Sequence, residues 1–112
     1  MAIIGRFYFK MTSTGNLLGE YSNSGMDSVD AEFANTLKTA SDGSFIGDYH
    51  SVWEEDNGPK KADLSITYKS GTNHKIYSLI WTMPGGKKFW GEGMLLDDIL
   101  IGDYRDFYHI KP

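Results

Sequence analysis

The side chains able to do chemistry in this 112-residue chain are few and dispersed. His50, His74 and His109 lie far apart and show no His-x-x-x-His or Glu-His spacing that would gather them on a metal, so a surface role fits them better. There is no cysteine, which removes thiolate metal sites, disulfides and thiol nucleophiles. Carboxylates cluster at Glu54-Glu55-Asp56 and at Asp97-Asp98, but without the glycine and ligand spacing of a calcium loop, and they read as solvated turns. Gly91-Glu92-Gly93 leads into no Gly-Lys-Ser/Thr and no strand-to-helix junction, so it is not a phosphate cradle. A pair of tuned carboxylates would have to come from Glu92 with Asp103 or Asp48, the candidates away from turns. Pairing with lysines or with Arg6 and Arg105 on adjacent strands is the simpler expectation for these. No catalytic residue, metal or cofactor is expected.

A different chemistry is written into a repeat. Apolar, apolar, Gly, acid, Tyr occurs at Leu17-Leu18-Gly19-Glu20-Tyr21, at Phe45-Ile46-Gly47-Asp48-Tyr49 and at Leu100-Ile101-Gly102-Asp103-Tyr104. In a strand, alternation puts the first apolar residue, the glycine and the tyrosine of each repeat on one face, and the second apolar residue and the acid on the other. Glycine beside a large ring leaves local room, which neighbouring side chains or a ligand would fill. With the repeat facing inward, Tyr21, Tyr49, Trp53, Tyr68, Tyr77, Trp81 and Tyr104 line a mostly apolar cavity with a few polar tips, the makeup of a small-molecule site. The plainer alternative is that these rings fill a core and their hydroxyls find backbone partners. On the opposite face Ile76, Ile80, Trp90, Met94, Ile99 and Ile101 form an apolar patch larger than a monomer usually leaves bare. A helix or a second subunit should cover it.

The elements that must hold these residues are mostly strands. Residues 3–11 alternate Gly5, Phe7, Phe9 and Met11 against Ile4, Arg6, Tyr8 and Lys10, and 17–22 return after a Thr-Ser-Thr-Gly-Asn turn. Val29, Phe33, Leu37 and Ala40 fall at helical spacing behind Asp27 or Ser28 as N-cap, with Asp30 and Glu32 suiting the positive end of the helix dipole and Ser41-Asp42-Gly43 stopping it. This predicts one short helix over about residues 28–40. Beyond it Phe45, Gly47, Tyr49, Ser51 and Trp53 share a face. Asn57-Gly58 signals a hairpin, and Ala62, Leu64, Ile66 and Tyr68 alternate with polar residues. Residues 70–73 turn the chain, 76–83 run apolar on both faces, Pro84-Gly85-Gly86 turns again, and two last strands meet at Asp97-Asp98. The expectation is mainly β: an antiparallel meander of about seven strands closing into a small barrel, with the helix between strands 2 and 3. An open sheet packed on the helix is the competing architecture.

Composition agrees and excludes several classes. The length suits one domain, residues 1–112, with aromatics at 14% and 13 glycines. A net charge of −4 spread along the chain argues against a nucleic-acid surface, which needs clustered cations. No stretch approaches the roughly 20 apolar residues of a membrane-spanning helix. No signal-peptide pattern opens the sequence, so the cytoplasm is the expected location, although a mature secreted form restarted with a methionine would look the same.

Three short segments resemble the calycin-type small barrels, the avidin-like ones more than the lipocalins. Gly5-Arg6-Phe7-Tyr8 resembles the Gly-x-Trp-Tyr that opens an avidin-like chain, with Phe in place of Trp. Leu17-Leu18-Gly19-Glu20-Tyr21-Ser22 is similar to the Leu-x-Gly-x-Tyr that follows. Trp81 and Phe89-Trp90-Gly91-Glu92 are similar to the family's paired tryptophan strands. The matches cover about a quarter of the chain, an avidin-like chain has no helix like 28–40, and the lipocalins' opening Gly-x-Trp is absent. The resemblance implies a barrel with a ligand cavity; it does not imply biotin.

The leading functional expectation is a non-catalytic protein holding a small, partly apolar or aromatic ligand in the barrel. The alternative is a self-assembling or protein-binding module with a filled core, working through the Trp90, Met94 and Ile101 face, with a homo-oligomer as its simplest form. A cavity enzyme, an isomerase or hydrolase of a hydrophobic substrate, is the third. Such an enzyme would require a titratable group of strongly shifted pKa inside the cavity.

Overall fold

The structure is a computed structural model that describes residues 2–37, 44–69 and 76–107. Eight strands follow one another, β1 (Ile4–Met11), β2 (Leu17–Asn23), β3 (Asp30–Thr36), β4 (Gly47–Glu55), β5 (Gly58–Tyr68), β6 (Tyr77–Thr82), β7 (Lys88–Leu96) and β8 (Ile99–Arg105). Each pairs antiparallel with the next, and β8 returns to pair with β1, closing an up-and-down barrel. Closure leaves no sheet edge exposed.

The helix expected over residues 28–40 is not formed: residues 30–36 are strand β3, which raises the count from about seven strands to eight, and no described residue is helical. Residues 38–40, and the stop signal at 41–43, lie outside the described residues, as do the 70–73 turn, His74 and His109. The spacing of the apolar residues explains the difference. Val29, Phe33 and Leu37 are four apart, a spacing that nearly matches one helical turn but is also two full strand periods. Phe33 lies on the outer face of β3, with Val29 and Leu37 just beyond its two ends, and all three are exposed.

Register, rather than hydrophobicity, decides which side of β3 faces in. Leu17 pairs with Ala34, Gly19 with Glu32, and Tyr21 with Asp30. Directly opposed residues lie on the same face of a sheet. Because the Leu17/Gly19/Tyr21 side of β2 is inward, Glu32 and Ala34 are carried in with it, and Phe33 is carried out.

The repeat is oriented as its alternation requires. Leu17, Tyr21, Phe45, Tyr49, Leu100 and Tyr104 are buried, whereas Leu18, Asp48, Ile101 and Asp103 are exposed. Glycine makes two strand approaches feasible. A Cβ on Gly19 would stand 1.9 Å from the Tyr8 carbonyl oxygen, and one on Gly102 would stand 1.9 Å from that of Glu92. Both repeats thus use glycine where neighbouring backbones come close, as tight coiling of a small barrel demands.

The joints follow their turn residues. Asp97 and Asp98 both take positive φ, 49° and 66°, as a mirror-image hairpin turn requires. Asp56 and Asn57 form the β4–β5 turn, with Gly58 at φ 119° beginning β5. In the middle of the barrel Phe9, Leu17, Leu64, Ile66, Leu79 and Leu100 are fully buried and form a packed plug. Each such side chain contributes roughly 1.5–3 kcal/mol by leaving water. The plug separates two ends. The turns β2–β3, β4–β5 and β6–β7 surround one end, and the turns β1–β2 and β7–β8 lie at the opposite end.

Candidate functional site

The first end opens into a cup of about 590 Å³. Its wall begins with rings from alternate positions of five strands: Tyr21 from β2, Trp53 from β4, Trp81 from β6, Phe89 from β7 and Tyr104 from β8. Trp81 and Phe89 each pack on Tyr104 with ring centroids 5.8 Å apart, the Phe89 contact edge-on at 81°. Gly5 and Gly91 let these rings lie flat against the backbone: a Cβ on Gly5 would collide with the Tyr104 ring at 2.4 Å, and one on Gly91 would crowd Trp81 at 3.0 Å.

Hydroxyls fix two of the rings. Tyr21 donates to the Glu54 carbonyl at 3.1 Å, and the Asn23 amide donates to the Tyr104 oxygen at 2.9 Å. Burial raises the pKa of both phenols, that of Tyr104 to about 12, so both remain protonated at neutral pH. Trp53 donates its indole proton to Glu55 at 2.9 Å.

The cup is organised around Glu32, a residue given no site role by its sequence context. Its side chain is 5% exposed and lines the cup. Ser51 Oγ donates to Glu32 Oε2 at 2.6 Å and Trp81 Nε1 donates to the same oxygen at 2.8 Å. No described residue donates to Oε1. Burial raises the Glu32 pKa to about 7, against the opposing pull of the two hydrogen bonds, which favour the anion. The group thus changes between neutral acid and carboxylate near neutral pH, and its second oxygen is left for whatever enters the cup.

The seven rings expected to line one cavity are divided by the plug. Tyr21, Trp53, Trp81 and Tyr104 meet at the cup. Tyr49, Tyr68 and Tyr77 lie at the opposite end. There Tyr49 is buried and donates to the Phe45 carbonyl at 2.9 Å, a core role. Tyr68 and Tyr77 pack together with centroids 5.1 Å apart beside a hollow of about 470 Å³ shared with Phe45 and Leu95. A single seven-ring cavity is therefore not what the barrel builds. Phe89, Asn23 and Glu32 belong to the cup and were absent from the expected set.

Asp48, Glu92 and Asp103 stand away from the cup. Asp48 and Asp103 are on the exposed outer face, and Glu92 forms a 3.0 Å ion pair with Lys69 there. His50 also faces outward, with Nδ1 4.0 Å from Asp63. The six expected interface residues remain on the outside or at its edge, with Met94 61% exposed and Ile101 43% exposed. Met94 pairs with Ile101, and Ile101 with Tyr8. A second row runs Leu96, Ile99, Lys10, Leu18, Phe33 across β7, β8, β1, β2 and β3. Ile80 and Trp90 face each other further along β6 and β7, and Ile76 precedes β6. The helix expected to cover this face does not exist, since its residues 30–36 form part of the wall.

No protein-family model matches the chain, and no curated protein or solved structure matches it either.

Proposed function

We propose that the protein is a small-molecule carrier of calycin-like design that takes a compact, partly apolar ligand in the cup bounded by Tyr21, Trp53, Trp81, Phe89 and Tyr104. The observation that carries this reading is the buried Glu32 at the base of an open aromatic cup, with one oxygen held by Ser51 and Trp81 and the other without a donor from the described residues. Ligand sites combine apolar walls with a few convergent polar groups in this way. A filled core would be expected to satisfy or exclude such an acid.

Two further points support the reading. Eight antiparallel strands closed in chain order is an architecture used by lipocalins and streptavidin. The helix that set this chain apart from avidin-like barrels is now a strand, and the resemblance around Trp81 and Phe89 falls on residues that line the cup.

Native mass spectrometry of freshly purified protein tests the proposal. The expected result is a co-purifying small-molecule adduct that is lost in Trp53→Ala and Phe89→Ala. Protein that flies bare, and that fails to bind an apolar fluorophore in a manner sensitive to those substitutions, would overturn it.

A second reading of the same cup is proton transfer, favoured by a carboxyl group with a pKa of about 7. It would make Glu32 a general base toward an apolar substrate, and turnover abolished in Glu32→Gln would identify it. For the outer surface, the uncovered Met94, Ile101 and Tyr8 row favours self-association or protein binding. Sedimentation that stays monomeric at high concentration would remove the self-association form.

A further inference from the structure

The chemistry of the cup narrows the ligand beyond its size. Five acidic residues line it, Asp30, Glu32, Glu54, Glu55 and Asp56, against two lysines, Lys60 and Lys87. Low-dielectric walls strengthen the field of such an arrangement at its base. The rings add to it, because the faces of Trp, Tyr and Phe attract cations. The protein already displays this preference within itself, for the Lys87 ammonium lies over the Phe89 ring, 5.2 Å from its centroid, at the rim. At the base, Glu32 Oε2 receives Ser51 and Trp81, while Oε1 receives no donor from the described residues and is open to one from a ligand.

We infer that the cup selects a protonated amine carried on a small aromatic body, the ammonium directed to Glu32 Oε1 and the aromatic body packed among Trp53, Trp81, Phe89 and Tyr104. This inference rests on the cup being the ligand site. A neutral ligand of the same shape would leave the carboxylate unpaired in a buried position, and an anion would face the net negative lining. Tyr104, whose oxygen accepts from Asn23, retains its own proton to donate to a polar atom on the ligand body.

The inference also specifies a dependence on pH. Only the ionised carboxylate attracts the ammonium as a charge, so affinity for the amine rises as Glu32 ionises and falls on acidification. The groups that share its surroundings are Tyr21 on β2, Asp30 on β3, Glu54 and Glu55 on β4, Asp56 in the β4–β5 turn, Lys60 on β5, Lys87 at the entry to β7 and Tyr104 on β8; Ser51 and Trp81, which touch it, do not titrate. Glu32→Gln retains all of these other groups, and comparison with it isolates the contribution of Glu32.

Calorimetric titration with three matched probes tests the inference: tryptamine as the cation, 3-ethylindole as its neutral counterpart and indole-3-acetate as the anion. At about pH 8 tryptamine should bind wild-type protein at least about tenfold tighter than 3-ethylindole, with indole-3-acetate weakest. The preference should shrink to about twofold or less both in Glu32→Gln, checked for folding by circular dichroism, and in wild-type protein at about pH 5.5. Equal binding of tryptamine and 3-ethylindole at the higher pH would overturn the amine assignment and leave the aromatic cup as the ligand site. A tryptamine preference untouched by both acidification and Glu32→Gln would overturn the role of Glu32. Failure of all three probes, together with protein that is bare in native mass spectrometry, would overturn the inference and the carrier reading together.

Discussion

Trp81 Nε1 on β6 donates across the barrel interior to Glu32 Oε2 on β3, at 2.8 Å. The two residues are 49 positions apart in sequence and their strands are not neighbours in the sheet. One hydrogen bond therefore ties opposite parts of the wall together and fixes the orientation of the acid at the base of the cup.

Replacing Trp81 by Phe keeps most of the ring and removes this donor. Glu32 would then retain Ser51 alone, and the loss should cost about 1–3 kcal/mol of stability. Because the lost bond favours the anion, the Glu32 pKa should rise further above 7. Urea unfolding measures the first effect, and carbon-detected NMR titration of the Glu32 carboxyl measures the second.

Glu32 itself should produce a stability slope of unusual sign. Its folded pKa of about 7 lies above the unfolded value of 4.5, so between these the native state binds more protons than the unfolded chain. The contribution of this group to stability is present below the unfolded pKa and is lost as pH rises through the folded one, by a total of about 3 kcal/mol at order-of-magnitude level. In Glu32→Gln that slope should vanish, leaving the variant close to wild type near the acidic end and relatively more stable above neutrality. Unfolding free energies of the two proteins across the pH range check this as a difference, in which the other carboxylates cancel.

Gly102→Val should prevent folding or cost several kcal/mol. The new Cβ would lie 1.9 Å from the Glu92 carbonyl oxygen and 2.7 Å from Gly93 Cα, both backbone atoms of β7, so β7 and β8 would have to separate. Gly25→Ala serves as control, since its Cβ would meet only the Asn23 side chain at 3.4 Å. Thermal unfolding should distinguish the two clearly, and a Gly102→Val protein as stable as wild type would contradict the close approach of these strands.

Asp98→Gly should stabilise the β7–β8 hairpin. Asp98 holds φ at 66° beside Asp97 at 49°, and glycine adopts that region without the cost borne by an L side chain. Asp-Gly suits this turn, and a gain of about 0.5–1 kcal/mol is expected in urea unfolding.

The outer row should be indifferent to charge in the folded monomer. Met94→Lys and Ile101→Lys change side chains that are 61% and 43% exposed, and each should alter stability by about 0.5 kcal/mol or less. The same variants, followed by sedimentation, report whether that row joins copies of the chain.

Much of this architecture was legible in the sequence because strand alternation is a local property. Tyr21, Tyr49 and Tyr104 were assigned inward, and Asp48 and Asp103 outward, from two-residue periodicity alone, and Asp97-Asp98 marked the last hairpin. The β3 segment was illegible for an equally local reason: Phe33 points outward and stands four residues from Val29 and from Leu37, which flank the strand, so the spacing imitates a helical turn while the inward face carries Glu32 and Ala34. Division of the aromatic residues between two ends also escaped a reading based on faces, because alternation assigns a side of the sheet but says nothing of height along the barrel axis.

The sequence by itself determined that the chain is mainly β, which side of each repeat is inner, and where several of the turns fall. Only the tertiary structure decided that Glu32 is an interior acid. Pairing of β3 with the inward side of β2 forces it there, while Ser51 and Trp81, from β4 and β6, supply the hydrogen bonds that make its burial tolerable. Register and barrel closure are relations between distant strands, and the pattern within residues 30–36 carries no record of either.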